Sequence, residues 1–203
     1  MKKRLLVILM VLLVSSGAIP AWALLIPRMT TEELVLHANT IVSGRCLSFH
    51  YHPGHHGKTL YAIIQFKVDE YLKNDLGKTE LTLQQIAREE GMDGTPQPGA
   101  ISFSVDEEAI LFLTEEDQQG FRHIMGLPQG KFSIGQNRRG KPILVRDLTG
   151  VRFFDRKTGE ISKVKQPHEE RDLETFREEL KRIASHLKAE KQELVFVSPD
   201  RSF

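Results

Sequence analysis

The fold of this chain is decided by two stretches, TIVSGRCLSF at residues 40–49 and LYAIIQFKV at residues 60–68. The first is rich in β-forming residues, and Gly44 within it predicts a bulge or sharp bend where a strand curls in a small barrel. The second alternates apolar and polar side chains, so it predicts a long strand with one face in water. A turn at 74–78 and a further alternating stretch at 81–84 complete a predicted meander.

More strands are predicted beyond this meander. The glycines and prolines of 87–100 predict a surface loop, and the apolar run Ala109 to Leu113 predicts a central strand buried on both faces. The stretch Phe121 to Leu127 follows a turn at 118–120 and predicts a hairpin. Two later hairpins are predicted from apolar stretches on either side of glycine-containing loops: 131–134 with 143–145, and 151–154 with 161–164.

Two helices are predicted, one before these strands in the sequence and one after them. Thr30 to Ala38 begins with hydroxyl groups able to cap a helix and with acids in its first turn. From about Glu169 to Glu190, apolar residues step by three and four between charged residues, which predicts one amphipathic helix. Its apolar stripe favours packing across the barrel, with a homodimer seam as the alternative. The segment Leu194 to Val197 is interpreted as either an edge strand or an apolar tail.

The first 23 residues resemble a cleaved signal peptide. Lys2 to Arg4 are positive, Leu5 to Val14 form an apolar run, and Ala21 to Ala23 supply small residues for a signal peptidase. A run of roughly ten residues is short of the ~20 that a membrane-spanning helix needs. No later stretch is apolar for long enough to cross a bilayer. The sequence therefore predicts a periplasmic or secreted protein.

Composition narrows the classes of partner. Removing the leader takes away three of 28 basic residues and none of 27 acidic ones, which moves the formal charge from +1 to −2. Phosphate binding depends on clustered Lys and Arg, so we do not expect nucleic acid as a partner. Cys46 is the only cysteine, and no intramolecular disulfide can form. Its position in a strand-like run favours burial as a small apolar side chain over a reactive thiol.

A histidine-rich segment is the strongest local anomaly. Four of the chain's eight histidines lie close together at His50, His52, His55 and His56. Imidazole is a common ligand of zinc, copper and nickel, and two histidines two positions apart on a strand project to the same side. The sequence therefore allows a metal site, with zinc or copper as the expected ion. The other interpretation is a solvated loop in which histidines happen to cluster.

Signatures of catalysis are missing from the sequence. There is no Gly-x-Ser-x-Gly elbow and no signature of a histidine-activated cysteine. The acid pairs are typical of solvated loop and helix ends, and the isolated His37 and His123 favour structural roles. We therefore expect that the protein is not an enzyme. A hydrolase assembled from residues distant in sequence is the weaker alternative.

Three motifs carry a resemblance to a known family. They are the segment Ala38 to Cys46, the strand Ile110 to Leu113, and the segment Gly126 to Phe132, within about Thr30 to Arg146. Together they resemble a family of uncharacterised exported bacterial proteins with the patterns Ala-Asp-x-Val-hydrophobic-x-Gly-Arg-Val, Leu-Leu-Phe-Leu and Gly-Leu-x-Gln-Gly-Lys-Phe. The resemblance implies an OB-like barrel, remotely similar to the netrin-like module of tissue metalloprotease inhibitors.

That resemblance brings no ligand or catalytic residue with it. The inhibitors depend on an amino-terminal cysteine and several disulfides, whereas this chain holds only Cys46, so their mechanism does not transfer. The stretch Gln129 to Phe132 is interpreted as a strand bend with core contacts rather than as a site.

These observations predict a mainly β protein, an OB-like small barrel of about five to eight strands with a C-terminal amphipathic helix packed on it. The expected division is a signal peptide at 1–23, the β domain at 24–165, and the helix and tail at 166–203. The expected function is non-enzymatic binding of a protein or cell-envelope component through barrel loops. Metal binding or metal delivery in the periplasm is the alternative.

Overall fold

The computed structural model describes residues 24–54, 59–89, 99–163 and 168–197. Within them the chain forms ten β-strands, two α-helices and one short 3-10 helix. The strands are β1 (Leu24–Pro27), β2 (Thr40–Pro53), β3 (Thr59–Lys73), β4 (Glu80–Glu89), β5 (Glu108–Leu113), β6 (Lys131–Gln136), β7 (Pro142–Asp147), β8 (Val151–Phe154), β9 (Ile161–Lys163) and β10 (His168–Asp172). The helices are α1 (Thr31–His37) and α2 (Leu173–Val197), and the 3-10 helix is Leu127–Gly130.

Most strands belong to one antiparallel sheet. Seven of them lie in the order β10-β7-β6-β5-β2-β3-β4, and a separate three-stranded sheet has the order β1-β8-β9. The mainly β class predicted from the sequence is therefore confirmed, as is the C-terminal helix.

The sheet curls, and the short stretch 122–125 lies between β4 and β5 and contacts both of them. Arg122 makes a parallel bridge to Leu83 of β4, and Ile124 makes an antiparallel bridge to Leu113 of β5. Backbone N–H groups of Gln84 and Met125 donate to Arg122 and Phe112 at 2.9 and 2.8 Å. The strands β2, β3, β4 and β5 are thus linked into a ring by the bridges of residues 122–125.

Gly44 lies at the bend of β2, where the sequence predicts it. The pairing of β2 with β3 shifts register between Ser43 and Gly44. A Cβ atom at Gly44 would lie only 1.9 Å from the carbonyl oxygen of Lys67. The absence of a side chain therefore allows the two strands to approach closely at the bend.

β5 separates two hydrophobic cores, which confirms the prediction of a central strand buried on both faces. Leu111 and Leu113 point into the ring, where they pack in a cluster with Phe66. Ile110 and Phe112 point the other way, into a cluster beneath the helices. One strand therefore serves as the common wall of both cores.

α1 is fixed at both ends. Thr30 and Glu33 form a capping box at its start, which confirms the predicted helix. At its other end the Lys73 ammonium donates to the carbonyl oxygens of Val35 and Ala38, both at 2.6 Å. A cation at this end also interacts favourably with the helix dipole.

α2 packs its apolar stripe on the sheet. Leu173, Phe176 and Leu180 are buried, while Ile183 and Leu187 pack against the same cluster. The ring centroid of Phe176 lies 4.7 Å from that of Phe132 on β6. The intramolecular interpretation of the stripe is therefore confirmed over this part of the helix.

The predicted start of this helix at Glu169 is wrong. Residues 168–172 form β10 instead, because they pair with β7 in an antiparallel register. Asp172 then accepts hydrogen bonds from the backbone N–H and the hydroxyl of Thr175, which marks the helix start. The edge-strand interpretation of Leu194 to Val197 is also wrong, since these residues continue α2.

Other boundaries differ in smaller ways. The hairpins β6-β7 and β8-β9 are confirmed. β2 runs on to Pro53 rather than ending at Phe49, and β4 runs on to Glu89 where a loop is predicted. In both places the neighbouring strand β3 supplies hydrogen-bond partners that periodicity within the segment does not indicate. β1 is not predicted at all.

The segment Gly126 to Phe132 makes structural contacts, in agreement with the sequence interpretation of Gln129 to Phe132 as a bend with core contacts. Gln129 is almost fully buried, and its amide bonds the N–H of Met29 at 2.9 Å and the carbonyl of Pro27 at 3.0 Å. A Cβ atom at Gly130 would lie 2.1 Å from the carbonyl oxygen of Met125. These contacts join the start of the described chain to the 3-10 helix.

Lys131 in the same segment is buried with an acidic partner. Its ammonium lies 2.7 Å from Oε1 of Glu107 and donates to the carbonyl of Ser102. The Ser133 hydroxyl donates to the same carboxylate at 2.6 Å. Burial alone would raise the pKa of Glu107, but Lys131 and Ser133 hold it below its ordinary value.

Among the described residues, no helix is both long and apolar enough to traverse a bilayer.

Candidate functional site: a cleft on the outer face of β2, β3 and β4

The floor of the cleft is the face of the sheet that points away from the ring interior. His52 lies directly opposite Tyr61, and His50 lies opposite Ile63. Ile63 in turn lies opposite Gln84 on β4. Cross-strand partners share a face of a sheet, so these five side chains form one continuous surface.

Two connecting segments form the walls. The end of β2 at Pro53 and Gly54 lies on one side, and the turn at Asp117 to Phe121 lies on the other. The open cleft between them has a volume of about 780 Å³. This volume lies within the range of about 300–1,000 Å³ that is typical of ligand pockets.

The turn of the second wall is held by Asp117. Its Oδ1 accepts hydrogen bonds from the N–H groups of Gln119 and Phe121, both at 2.9 Å. Its own N–H donates to the carbonyl of Phe121 at 2.8 Å. The N–H of Phe121, and after it the ring of His123, hold the pKa of Asp117 below its ordinary value.

His123 connects this turn to the floor. Its Nδ1 lies 2.8 Å from the carbonyl oxygen of Gln84, and its Nε2 lies 3.0 Å from Oδ2 of Asp117. Both ring nitrogens are therefore engaged with acceptor atoms. The sequence interpretation of His123 as a structural residue agrees with these contacts.

The histidines that the sequence singles out are divided by the structure. His50 and His52 are exposed, share a face of β2 and line the cleft. Nδ1 of His52 lies 2.6 Å from the carbonyl oxygen of Pro53. His55 and His56 lie outside the described residues. Within the residues that are described, no three His, Cys, Asp or Glu side chains come together as a metal site would require.

Cys46 does not join these histidines. It is fully buried in the ring cluster, and its Sγ lies 3.7 Å from the carbonyl of Ser48. Burial, and after it the negative charge of Glu107, raises the pKa of the thiol. The interpretation of Cys46 as a buried small side chain is confirmed.

The described residues that line the cleft are mostly polar, include aromatic rings and carry few charges. Neither Lys nor Arg occurs among the described residues that line the cleft. Three glutamine side chains line it, at Gln84, Gln118 and Gln119, and none of their amides has a hydrogen-bond partner within the described part of the chain. These amides are available to a ligand.

Sequence reasoning found one side of this site and missed the other. The histidine cluster directed attention to β2, whereas Gln84 and the Asp117 turn are distant in sequence and resemble ordinary surface positions. The bridge of Arg122 to Leu83 brings them to the floor. An Asp followed by Gln-Gln-Gly is a local turn signal, but it does not reveal which strand lies beside the turn.

These features define a mainly β protein with a walled cleft on its curled sheet, and the described part of the cleft lining is poor in charge. No protein-family model, curated protein or solved structure matches the chain. The resemblance to exported bacterial proteins therefore stays a prediction.

Proposed function

We propose that this protein is an exported, non-enzymatic binding module that holds a protein or cell-envelope partner in the cleft. The observation that carries the proposal is the fixed second wall, in which the amides of Gln118 and Gln119 have no partner among the described residues and the ring of Phe121 lines the same cleft. A recess that is formed before binding loses little conformational entropy when a ligand enters.

The engagement of His123 supports binding rather than catalysis. A histidine that acts as a general base needs a free ring nitrogen within reach of the proton that it removes. Here Gln84 and Asp117 occupy both nitrogens. The carboxylate of Asp117 is in turn committed to its own turn.

Export is supported by the leader-like sequence of residues 1–23 alone. Its positive start, apolar run and small residues before Leu24 agree with release into the periplasm or the medium. In that setting the partner is a component of the cell envelope or a secreted protein.

Capture from envelope extracts tests the proposal. We expect the immobilised mature protein to retain a reproducible partner and the Q118A/Q119A variant to retain much less. Q136A is the matched control, because Gln136 is an exposed amide on β6 outside the cleft. No reproducible capture, or equal capture by all three proteins, would contradict the proposal.

Metal binding is the second candidate, and the shared face of His50 and His52 favours it. Two imidazoles on one face of a strand supply two of the ligands that zinc or copper needs. We compare zinc and copper affinity in the mature protein, in H50A/H52A and in a variant with alanine at all four histidines of 50–56. Tight, near-stoichiometric binding that is lost in the variants would support this function. Weak binding that is alike in all three would reject it.

A further inference from the structure

We propose that the cleft binds an uncharged carbohydrate chain. This inference rests on the proposed binding function and specifies the chemical class of its ligand. Three independent properties of the cleft carry it: the balance of charge, the type of hydrogen-bonding group, and the backbone pairing of the floor.

The charge of the lining argues against an ionic ligand. No Lys or Arg lines the cleft among the described residues, so a phosphate or carboxylate would find no fixed cation within that part of the lining. The acidic residue among the described lining residues is Asp117. Its Oδ1 accepts hydrogen bonds from the N–H groups of Gln119 and Phe121, and its Oδ2 lies 3.0 Å from Nε2 of His123. A cationic ligand would have to compete with these contacts.

The remaining polar groups suit hydroxyl groups. A glutamine amide both donates and accepts, and a sugar hydroxyl does the same. Gln84 offers such an amide from the floor, while Gln118 and Gln119 offer amides from the wall. Tyr61 and Phe121 are half-buried in the same cleft, and their rings offer apolar surface to the C–H groups of a sugar ring.

The centre of the floor does not suit an added peptide strand. Recognition by strand addition needs unpaired backbone N–H and C=O groups along a sheet edge. Tyr61 and Ile63 lie on β3, which pairs with both β2 and β4, whereas the part of β2 that carries His50 and His52 pairs with β3 alone. A ligand at the centre of the floor therefore meets side chains.

The surface continues past the cleft, which favours a chain over a single sugar. Tyr61 and Gln84 also line an adjoining groove of about 470 Å³.

Calorimetric titration of the mature protein with three uncharged tetrasaccharides tests the inference: cellotetraose, maltotetraose and N-acetylchitotetraose. We expect at least one to bind with a dissociation constant below about 1 mM. We expect Q84A and Q118A/Q119A each to weaken that binding about tenfold or more, while Q136A does not. The replaced amides have no described partner, so the unfolding midpoints should match that of the parent protein.

Three results would overturn the inference. They are failure of all three sugars to bind, equal binding by the parent and the cleft variants, and preferential, salt-dependent binding of a heparin tetrasaccharide used as an anionic probe. Failure of the sugars together with a partner whose capture depends on Gln118 and Gln119 would reject the carbohydrate and leave the binding function standing. Loss of both results would reject both proposals.

Discussion

Single residues fix the geometry of this fold where strands come closest. Gly44 allows β2 to bend against the backbone of β3, and Glu107 neutralises a lysine that the β5-β6 pair buries. A Cβ atom at position 44 would overlap the backbone of β3, and the carboxylate at position 107 forms the ion pair with Lys131. The sequence marks the first of them, because glycine inside a β-rich run is itself a signal. It does not mark Glu107, which stands in a row of acidic residues.

Gly44→Ala should destabilise the protein by about 3 kcal/mol, because the new Cβ would overlap the Lys67 carbonyl and force the strands apart. Denaturant unfolding of the parent and variant measures the loss. Gly135→Ala is the matched control, since a Cβ there meets no atom within 4 Å. Equal stabilities of the two variants would contradict the role assigned to Gly44.

Glu107→Gln should lower the free energy of unfolding at neutral pH, and its difference from the parent should shrink in acid. The pKa of Glu107 is lowered in the folded state, so its contribution is present above the ordinary value of 4.5. That contribution is lost as the pH falls through the folded-state pKa. Unfolding curves from pH 7 downward provide the measurement.

The control for this prediction is Glu160→Gln, because the Glu160 side chain is exposed and has no ion pair among the described residues. Its difference from the parent should be small at every pH. A Glu107→Gln difference that stays constant with pH would show that the ion pair with Lys131 does not carry the effect.

At the scale of elements, the molecule depends on contacts between segments far apart in the chain. The short strand β1 pairs with β8, and Gln129 fastens the backbone that follows β1 to the 3-10 helix. α1 is capped by its own Thr30 at one end and by Lys73 from β3 at the other. Local sequence accounts for the first cap only.

Gln129→Ala should destabilise the protein by about 3 kcal/mol, because it leaves the Met29 N–H and the Pro27 carbonyl without their partner. Denaturant unfolding measures the loss, and hydrogen exchange at Met29 should accelerate. Gln136→Ala, at an exposed amide, should change stability by less than about 0.5 kcal/mol. Unchanged exchange at Met29 would contradict this role for Gln129.

The elements that the sequence predicts well are those whose signals are local. The alternation from Leu60 onward, the capping residues of α1 and the apolar steps of α2 all act within a few positions. β1 and β10 were not predicted because their partners lie elsewhere in the chain: Leu24 pairs with Val151, and Glu170 pairs with Val145. The cleft was half predicted for the same reason, since its histidine side is contiguous and its glutamine side is not.

At the scale of the whole molecule, two cores share one strand and α2 covers one of them. The apolar side chains of α2 from Leu173 to Leu187 pack inside the chain rather than against a partner. The stripe that allowed a dimer interpretation therefore contributes to the stability of one subunit. Dimerisation through this helix would require another of its surfaces.

Phe176→Ala should destabilise the protein by about 3–5 kcal/mol, because it removes a ring that is 1% exposed and packed on Phe132.

The unfolding midpoint of the parent should stay constant over an about hundredfold range of protein concentration. A midpoint that rises with concentration would indicate that association stabilises the fold. Sedimentation velocity over the same range gives an independent measurement.

The pairing of β1 with β8 also bears on the order in which parts of the chain fold. A chain made from its amino terminus presents Leu24 to Pro27 long before Val151 exists, so these residues wait for most of the protein before they find their partner. Contacts of such long sequence separation form slowly, because a large loop must close first. We therefore expect the part of the described chain that is synthesised first to be among the last to become structured.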